Sequence, residues 1–173
     1  MKIILTQQQI ELTIKRLANQ LMENHFDFQQ TAIIGIQPRG IALSDRIISE
    51  IKKEDQLAFD YGKLDITFYR DDVRNEIHVP NQTDIPFSIE GKNVVLIDDV
   101  LYTGRTIRAA MDALMDFGRP RKVELMVLVD RRYSRELPIQ PDYVGKSIDS
   151  IISQKVKVLW KAKDEKDEVV LLD

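Results

Sequence analysis

Val94-Val95-Leu96-Ile97-Asp98-Asp99-Val100-Leu101-Tyr102-Thr103-Gly104-Arg105-Thr106 is the stretch on which the fold turns. Its four leading apolar residues predict a buried strand, with Asp98 and Asp99 delivered to the strand end. Adjacent carboxylates there repel one another and lose hydration, which suits a cation or a ligand rich in hydroxyls bound between them. Thr103-Gly104-Arg105-Thr106 then opens a helix through Ile107, Ala110, Met111 and Leu114 that Gly118 and Pro120 stop. Free N–H groups, two hydroxyls and the helix dipole at its start make an anion site, and Gly104 permits close backbone approach. Only Val100, Leu101 and Tyr102 separate the acid pair from the cradle, so one ligand meets both: a sugar carrying a phosphate. An Asp-Asp pair alone is more often a helix cap or a solvated turn; the attached anion site favours a ligand.

Upstream, Ala32 to Ile36 reads as a second apolar strand, followed by the Gln37-Pro38-Arg39-Gly40 turn and an amphipathic helix from Ile41 to Lys53. Val123 to Val129 is a third. Continuous apolar strands between helices predict a mainly parallel sheet covered on both faces, with the loops after Ile36, Ile97 and Val129 on one edge. The first helix starts with a capping box, Thr6 with Gln9, and ends near His25. Leu64 to Tyr69 alternates as a strand. The polar stretch 70–86 reads as a lid beside the site. Lys155 to Trp160 and Glu168 to Leu172 read as two short strands.

The 173 residues are 43% hydrophobic and 31% charged, with a formal net charge of −3 and no cysteine. That composition predicts one globular domain over residues 1–173 without disulfides or thiolate metal sites, and a cytoplasmic, membrane-free location. A net acidic chain argues against indiscriminate nucleic-acid binding but leaves a local basic face open. His25 and His78 are too isolated to suggest a metal site.

Val94 to Thr106 resembles the type I phosphoribosyltransferase motif without a mismatch. That resemblance implies an α/β fold with a small hood, built from the N- and C-terminal segments, and a mobile lid. It also implies that Asp98 and Asp99 meet the ribose hydroxyls of 5-phosphoribosyl-1-pyrophosphate, directly or through substrate-bridged Mg2+, that Thr103, Gly104, Arg105 and Thr106 hold the 5-phosphate, and that Val100, Leu101 and Tyr102 belong to the same phosphate and ribose site. Pro38, Arg39 and Gly40 resemble the pyrophosphate loop, with Arg70 reaching in from the lid; Asp98, Asp99 and Arg39 are the expected catalytic set.

Three further blocks narrow the family: Asp65 to Asp72, Val127 to Pro138, and Asp142 to Lys146. With the phosphate loop they resemble PyrR, the family of pyrimidine operon attenuation regulators and uracil phosphoribosyltransferases. The resemblance implies uracil as acceptor and UMP as product, with Asp130, Arg131 and the backbone around Ile148 as base pocket. It further implies a homodimer or homotetramer that binds pyrimidine-operon leader mRNA in response to UMP, with Lys15, Arg16, Arg132 and Arg135 as candidate RNA contacts. Two other readings stay open at this level: transfer to a purine without RNA regulation, and a non-catalytic nucleotide-sensing RNA-binding regulator.

Overall fold

The structure, a computed structural model, describes residues 1–26, 28–54, 58–71 and 80–173. Its main sheet has five parallel strands in the order β3-β2-β4-β5-β6: β2 Thr31–Ile36, β3 Asp60–Leu64, β4 Asn93–Leu101, β5 Lys122–Arg132 and β6 Tyr143–Asp149. A smaller antiparallel sheet joins β1 (Lys2–Leu5), β8 (Glu168–Leu172) and β7 (Lys155–Leu159) in the order β1-β8-β7. The connection between β7 and β8 contains a short helix, α4, Lys161–Asp164.

Alternate residues of β4 feed two separate cores, as a strand covered on both faces requires. Val95 and Ile97 pack with α1 (Gln7–Asn24) and α2 (Gly40–Glu54), whereas Val94 and Leu96 pack with α3 (Arg105–Leu114). The expected capping box starts α1: Gln9 N–H donates to Thr6 Oγ1 at 3.4 Å and Thr6 N–H to Gln9 Oε1 at 2.9 Å. His25 ends the helix and turns inward, its Nε2 2.6 Å from Glu124 and its Nδ1 2.8 Å from Thr31 Oγ1. Burial opposes ionisation of Glu124, but bonds from Lys122 and His25 hold its carboxyl below the ordinary range. The same carboxylate accepts from Tyr143, whose hydroxyl burial pushes up to about 12.

The small sheet is anchored through Trp160. Its ring is buried under the Arg46 guanidinium, 4.8 Å from the centroid, and Arg46 also reaches Asp167 at 2.7 Å. This couples the β7–β8 connection to α2 and sets the small sheet over the carboxyl ends of the large one.

The strand expected over Leu64 to Tyr69 lies earlier. Its register with β2 ends at Leu64, where β2 itself turns away and only Gln37 N–H still reaches the Leu64 carbonyl, at 2.8 Å. Thr67–Tyr69 forms a 3-10 turn instead. Of the stretch 70–86 expected as a lid, residues 82–84 are tied to the sheet edge. Gln82 accepts from Gln37, Thr83 Oγ1 accepts from Asp65 N–H at 3.0 Å, and Asp84 forms an antiparallel bridge with Lys63. Residues 72–79, with Asp72 and His78, lie outside the described residues.

Gly40 fixes how closely α2 approaches the site. A β-carbon there would stand 2.3 Å from the Ile97 carbonyl and 3.1 Å from the Asp98 α-carbon, and both are backbone atoms that cannot rotate aside. Gly40→Ala is therefore expected to destabilise the protein by about 1–3 kcal/mol. Chemical denaturation checks this, as a lower midpoint with an unchanged slope.

Candidate active site

β4 does not stop at Ile97. It continues through Asp98 and Asp99 to Leu101, paired with β5 from Asn93↔Lys122 to Leu101↔Asp130. The carboxylates thus belong to an interior strand, only 6% and 3% exposed, and are not the solvent-edge pair that a loop beginning at Asp98 would give. Asp98 Oδ1 accepts the Asp99 N–H at 2.9 Å. Asp99 Oδ2 is buried without a hydrogen-bond partner, and Arg39 Nη1, 61% exposed at its side chain, stands 3.9 Å from it.

Burial raises the Asp98 pKa well above the ordinary carboxylate value, and the neighbouring Asp99 charge raises it further. Burial also raises Asp99, against the pull of Arg39. An orphaned carboxylate oxygen beside a second carboxyl suits a hydroxyl donor or a hard cation with oxygen ligands. Among the described residues no group of three ligating side chains could hold a metal alone, so oxygens from a bound substrate would have to complete its coordination.

A cavity of about 460 Å3 opens on this pair. Ile36 to Arg39 form one wall, Val100, Tyr102 and Thr106 another, Arg70 stands at the lid side, and Lys155, Val156, Lys157 and Leu172 of the small sheet contribute the cover. Beside it, a second cavity of about 330 Å3 is lined by Arg70, the run from Val100 to Ile107, and Glu136. Gly104 is at φ 94°, the left-handed region that favours glycine, and leads directly into α3, whose first-turn amides lack intrahelical partners as at any helix start. One cavity offers carboxylates, and the next is bounded a few residues on by the start of α3, where the Arg105 N–H donates to Thr103 Oγ1 at 3.3 Å.

The two cavities therefore have the order that a phosphoribosyl group needs. Residues 1–163 match the model of the phosphoribosyl transferase domain. A bifunctional protein PyrR from a Picosynechococcus species is 47% identical over 170 residues, spanning 98% of this chain and 96% of the relative. One from Enterococcus faecalis is 46% identical over 162 residues, 91% and 89% of the two chains. The chain belongs to the PyrR family of phosphoribosyltransferases. Among solved structures, a hypoxanthine phosphoribosyltransferase from Staphylococcus aureus aligns with TM-score 0.70 at 25% identity, over 86% of this chain and 78% of that one. The Trypanosoma cruzi hypoxanthine enzyme aligns with TM-score 0.75 over 99% and 96% at 18% identity, a likeness of fold alone.

Family membership does not put every expected residue where the sequence suggested. Pro38, Arg39 and Arg70 share the main cavity with Asp98, Asp99 and Thr106; Gln37-Pro38 is a cis peptide. Gly40 lies behind them, against β4. Arg105 lines the second cavity and its side chain is paired at the cavity's rim, with Nε on Glu136 at 2.6 Å and Nη1 3.2 Å from Asp71. Of the base-pocket candidates Arg131 lines the main cavity, while Ile148 is packed in the core and Asp130 is paired with Arg135.

Arg135, expected on an RNA-facing surface, is turned inward: it donates to the carbonyls of Tyr102 at 2.7 Å, Ile139 at 2.9 Å and Arg131 at 3.1 Å, and to Asp130. Arg16 donates to the carbonyls of Val144 and Gly145, so it secures β6 beneath α1. Arg132 is paired with Asp149 at 2.7 Å, and Lys15 stands on the exposed face of α1. Lys155 and Lys157 are cavity residues that the sequence reading missed. Their alternation in β7 marks a strand, but nothing local says that this strand crosses the large sheet's edge.

Burial of the acid pair has a measurable consequence. With its folded-state pKa raised, Asp98 contributes full stability at acid pH and loses it as pH rises through that elevated value. At neutral pH Asp98→Asn is thus expected to raise the melting temperature, by roughly 2–4 °C for each kcal/mol recovered. Turnover should fall on the order of 100-fold or more. Differential scanning calorimetry alongside a rate assay checks both signs; a variant that loses stability and activity together would mark the pair as structural.

Proposed function

We propose that this chain transfers the phosphoribosyl group of 5-phosphoribosyl-1-pyrophosphate to uracil, giving UMP and pyrophosphate, and that it also acts as a UMP-responsive RNA-binding attenuator of pyrimidine genes. The observation that carries the first half is the buried Asp98-Asp99 pair, with an unpartnered oxygen, next to the open first turn of α3. The choice of uracil is supported by the blocks around Tyr69-Arg70 and Asp130-Arg131, and by near-full-length similarity to proteins named bifunctional PyrR.

In this reading the 5-phosphate sits against the backbone of Thr103 to Thr106, where helix N–H groups and dipole favour an anion. The ribose hydroxyls face Asp98 and Asp99, and the pyrophosphate faces Arg39 and Arg70. The bond from C1 to the pyrophosphate oxygen breaks, the bond from C1 to uracil N1 forms, and N1 loses its proton. C1 is oxocarbenium-like between these events, so fixed carboxylates under the ring stabilise the positive charge as it develops. Their ionisation is disfavoured in the empty site and is compensated when cationic character appears. Asp98 and Asp99 are the residues that would hold Mg2+ together with the substrate, and the ion would supply charge neutralisation for the leaving group.

Purified protein with Mg2+ is expected to release pyrophosphate from 5-phosphoribosyl-1-pyrophosphate with uracil, and not with hypoxanthine, adenine or orotate. Turnover confined to a purine would overturn the choice of base. The regulatory half predicts a homodimer or homotetramer by analytical ultracentrifugation. It also predicts a UMP-dependent gel shift of the pyrimidine-operon leader RNA that weakens as salt rises. No shift even at low salt would remove the regulatory role and leave the enzyme.

A further inference from the structure

Arg131 lies near the end of β5 and is 4% exposed. Its Nε donates to Ser150 Oγ at 2.9 Å, and its Nη2 donates to the carbonyls of Ile151 at 3.1 Å and Gln154 at 2.9 Å. On its other side the guanidinium carbon lies 3.9 Å from the centroid of the Tyr102 ring. None of these partners is a carboxylate. A flat cation set against an aromatic face while its Nε and Nη2 hold a hydroxyl and two carbonyls is a task for arginine that lysine's point charge does not reproduce.

Tyr102 is the last residue between the ribose carboxylates and the phosphate cradle, and it lines both cavities. The loop it belongs to is braced from behind along its backbone. The Tyr102 carbonyl accepts from Arg135 at 2.7 Å, and the Thr103 carbonyl accepts from the N–H groups of Glu136 at 2.9 Å and Leu137 at 3.2 Å. Those bonds fix the main chain, whereas Arg131 covers the ring. The same guanidinium therefore touches a wall of the phosphoribosyl site and the inner side of a surface turn, 150–154. The outer side of that turn shows Ile151 and Ile152, both exposed, on a surface cavity shared with the exposed Tyr133.

We propose that Arg131 is a positioning residue that holds Tyr102 in the phosphate loop and ties the 150–154 turn to it, so that occupancy of the phosphoribosyl site is transmitted to the Ile151-Ile152 surface. The proposal rests on the reading of the site as a phosphoribosyl pocket. It assigns Arg131 a role different from direct contact with base or pyrophosphate. Binding that orders the Tyr102 segment must order the turn as well, because both are bonded to one buried group.

The test is amide hydrogen exchange of the full-length protein with and without Mg2+ and 5-phosphoribosyl-1-pyrophosphate, together with KM for each substrate. In the wild type the ligand is expected to slow exchange at 103–107 and at 150–154. Arg131→Lys should keep protection at 103–107, lose it at 150–154, and lower kcat/KM for the phosphoribosyl donor on the order of 100-fold, with the uracil KM little changed. Ser150→Ala, which removes one acceptor of the guanidinium and no residue lining either of the two cavities at Asp98-Asp99 and α3, should weaken protection at 150–154 in the same direction, and decides the matter if Arg131→Lys does not fold.

Protection at 103–107 in the wild type without any at 150–154 would overturn the proposal. So would full rescue by lysine, or a rise confined to the uracil KM, the mark of a base ligand. No protection at 103–107 in the wild type would instead overturn the phosphoribosyl reading itself.

Discussion

Two adjacent carboxylates inside a central parallel strand are the constraint on which the rest of the structure depends. Charge taken out of water is unfavourable unless it is paired and hydrogen-bonded, and here Asp99 keeps an oxygen without a partner. A pair left in this state suits a hydroxyl donor or a hard cation as its missing partner. The surrounding elements serve that state. α2 presses Gly40 onto the Ile97 carbonyl, β5 pairs through Asp98 to Leu101, and Arg39 supplies partial compensation from a position open to solvent.

The segment following β5 is the second requirement. Its hydrogen bonds back the Tyr102-Thr103 main chain, Arg135 among the donors, while Arg131, still within β5, covers the Tyr102 ring. A loop that must present backbone amides to an anion gains when its geometry is set before the anion arrives. Bracing is thus concentrated behind Tyr102 and Thr103. The opposite side of the main cavity is built from the more exposed Arg39 and from Arg70.

Much of this was legible in the sequence because it rests on local rules. Apolar runs bounded by turns identified β2, β4 and β5; Thr6 with Gln9 marked the start of α1; Thr103 to Thr106 marked the start of α3. What escaped depends on partners distant in the chain. Asp98 and Asp99 read as a loop because charge normally ends a buried strand, yet pairing with β5 carries β4 past them. Arg16 and Arg135 read as surface cations because arginine usually is one, and only the fold shows the carbonyls that take up their donors. β3 was misplaced by a few residues since its register is set by where β2 turns away, and β1 is a strand only because β8 lies beside it.

Proton linkage tests the central claim most directly. Isothermal titration calorimetry of Mg2+ and 5-phosphoribosyl-1-pyrophosphate binding, repeated in buffers of different ionisation enthalpy, reads the protons exchanged on binding. If the buried pair is held above the ordinary carboxylate range in the empty site and is ionised by the ligand, binding releases protons. The release should grow as the buffer is taken from alkaline to mildly acidic, and Asp98→Asn should abolish most of it. Binding that exchanges no protons across that range, or identical release from Asp98→Asn, would contradict the account.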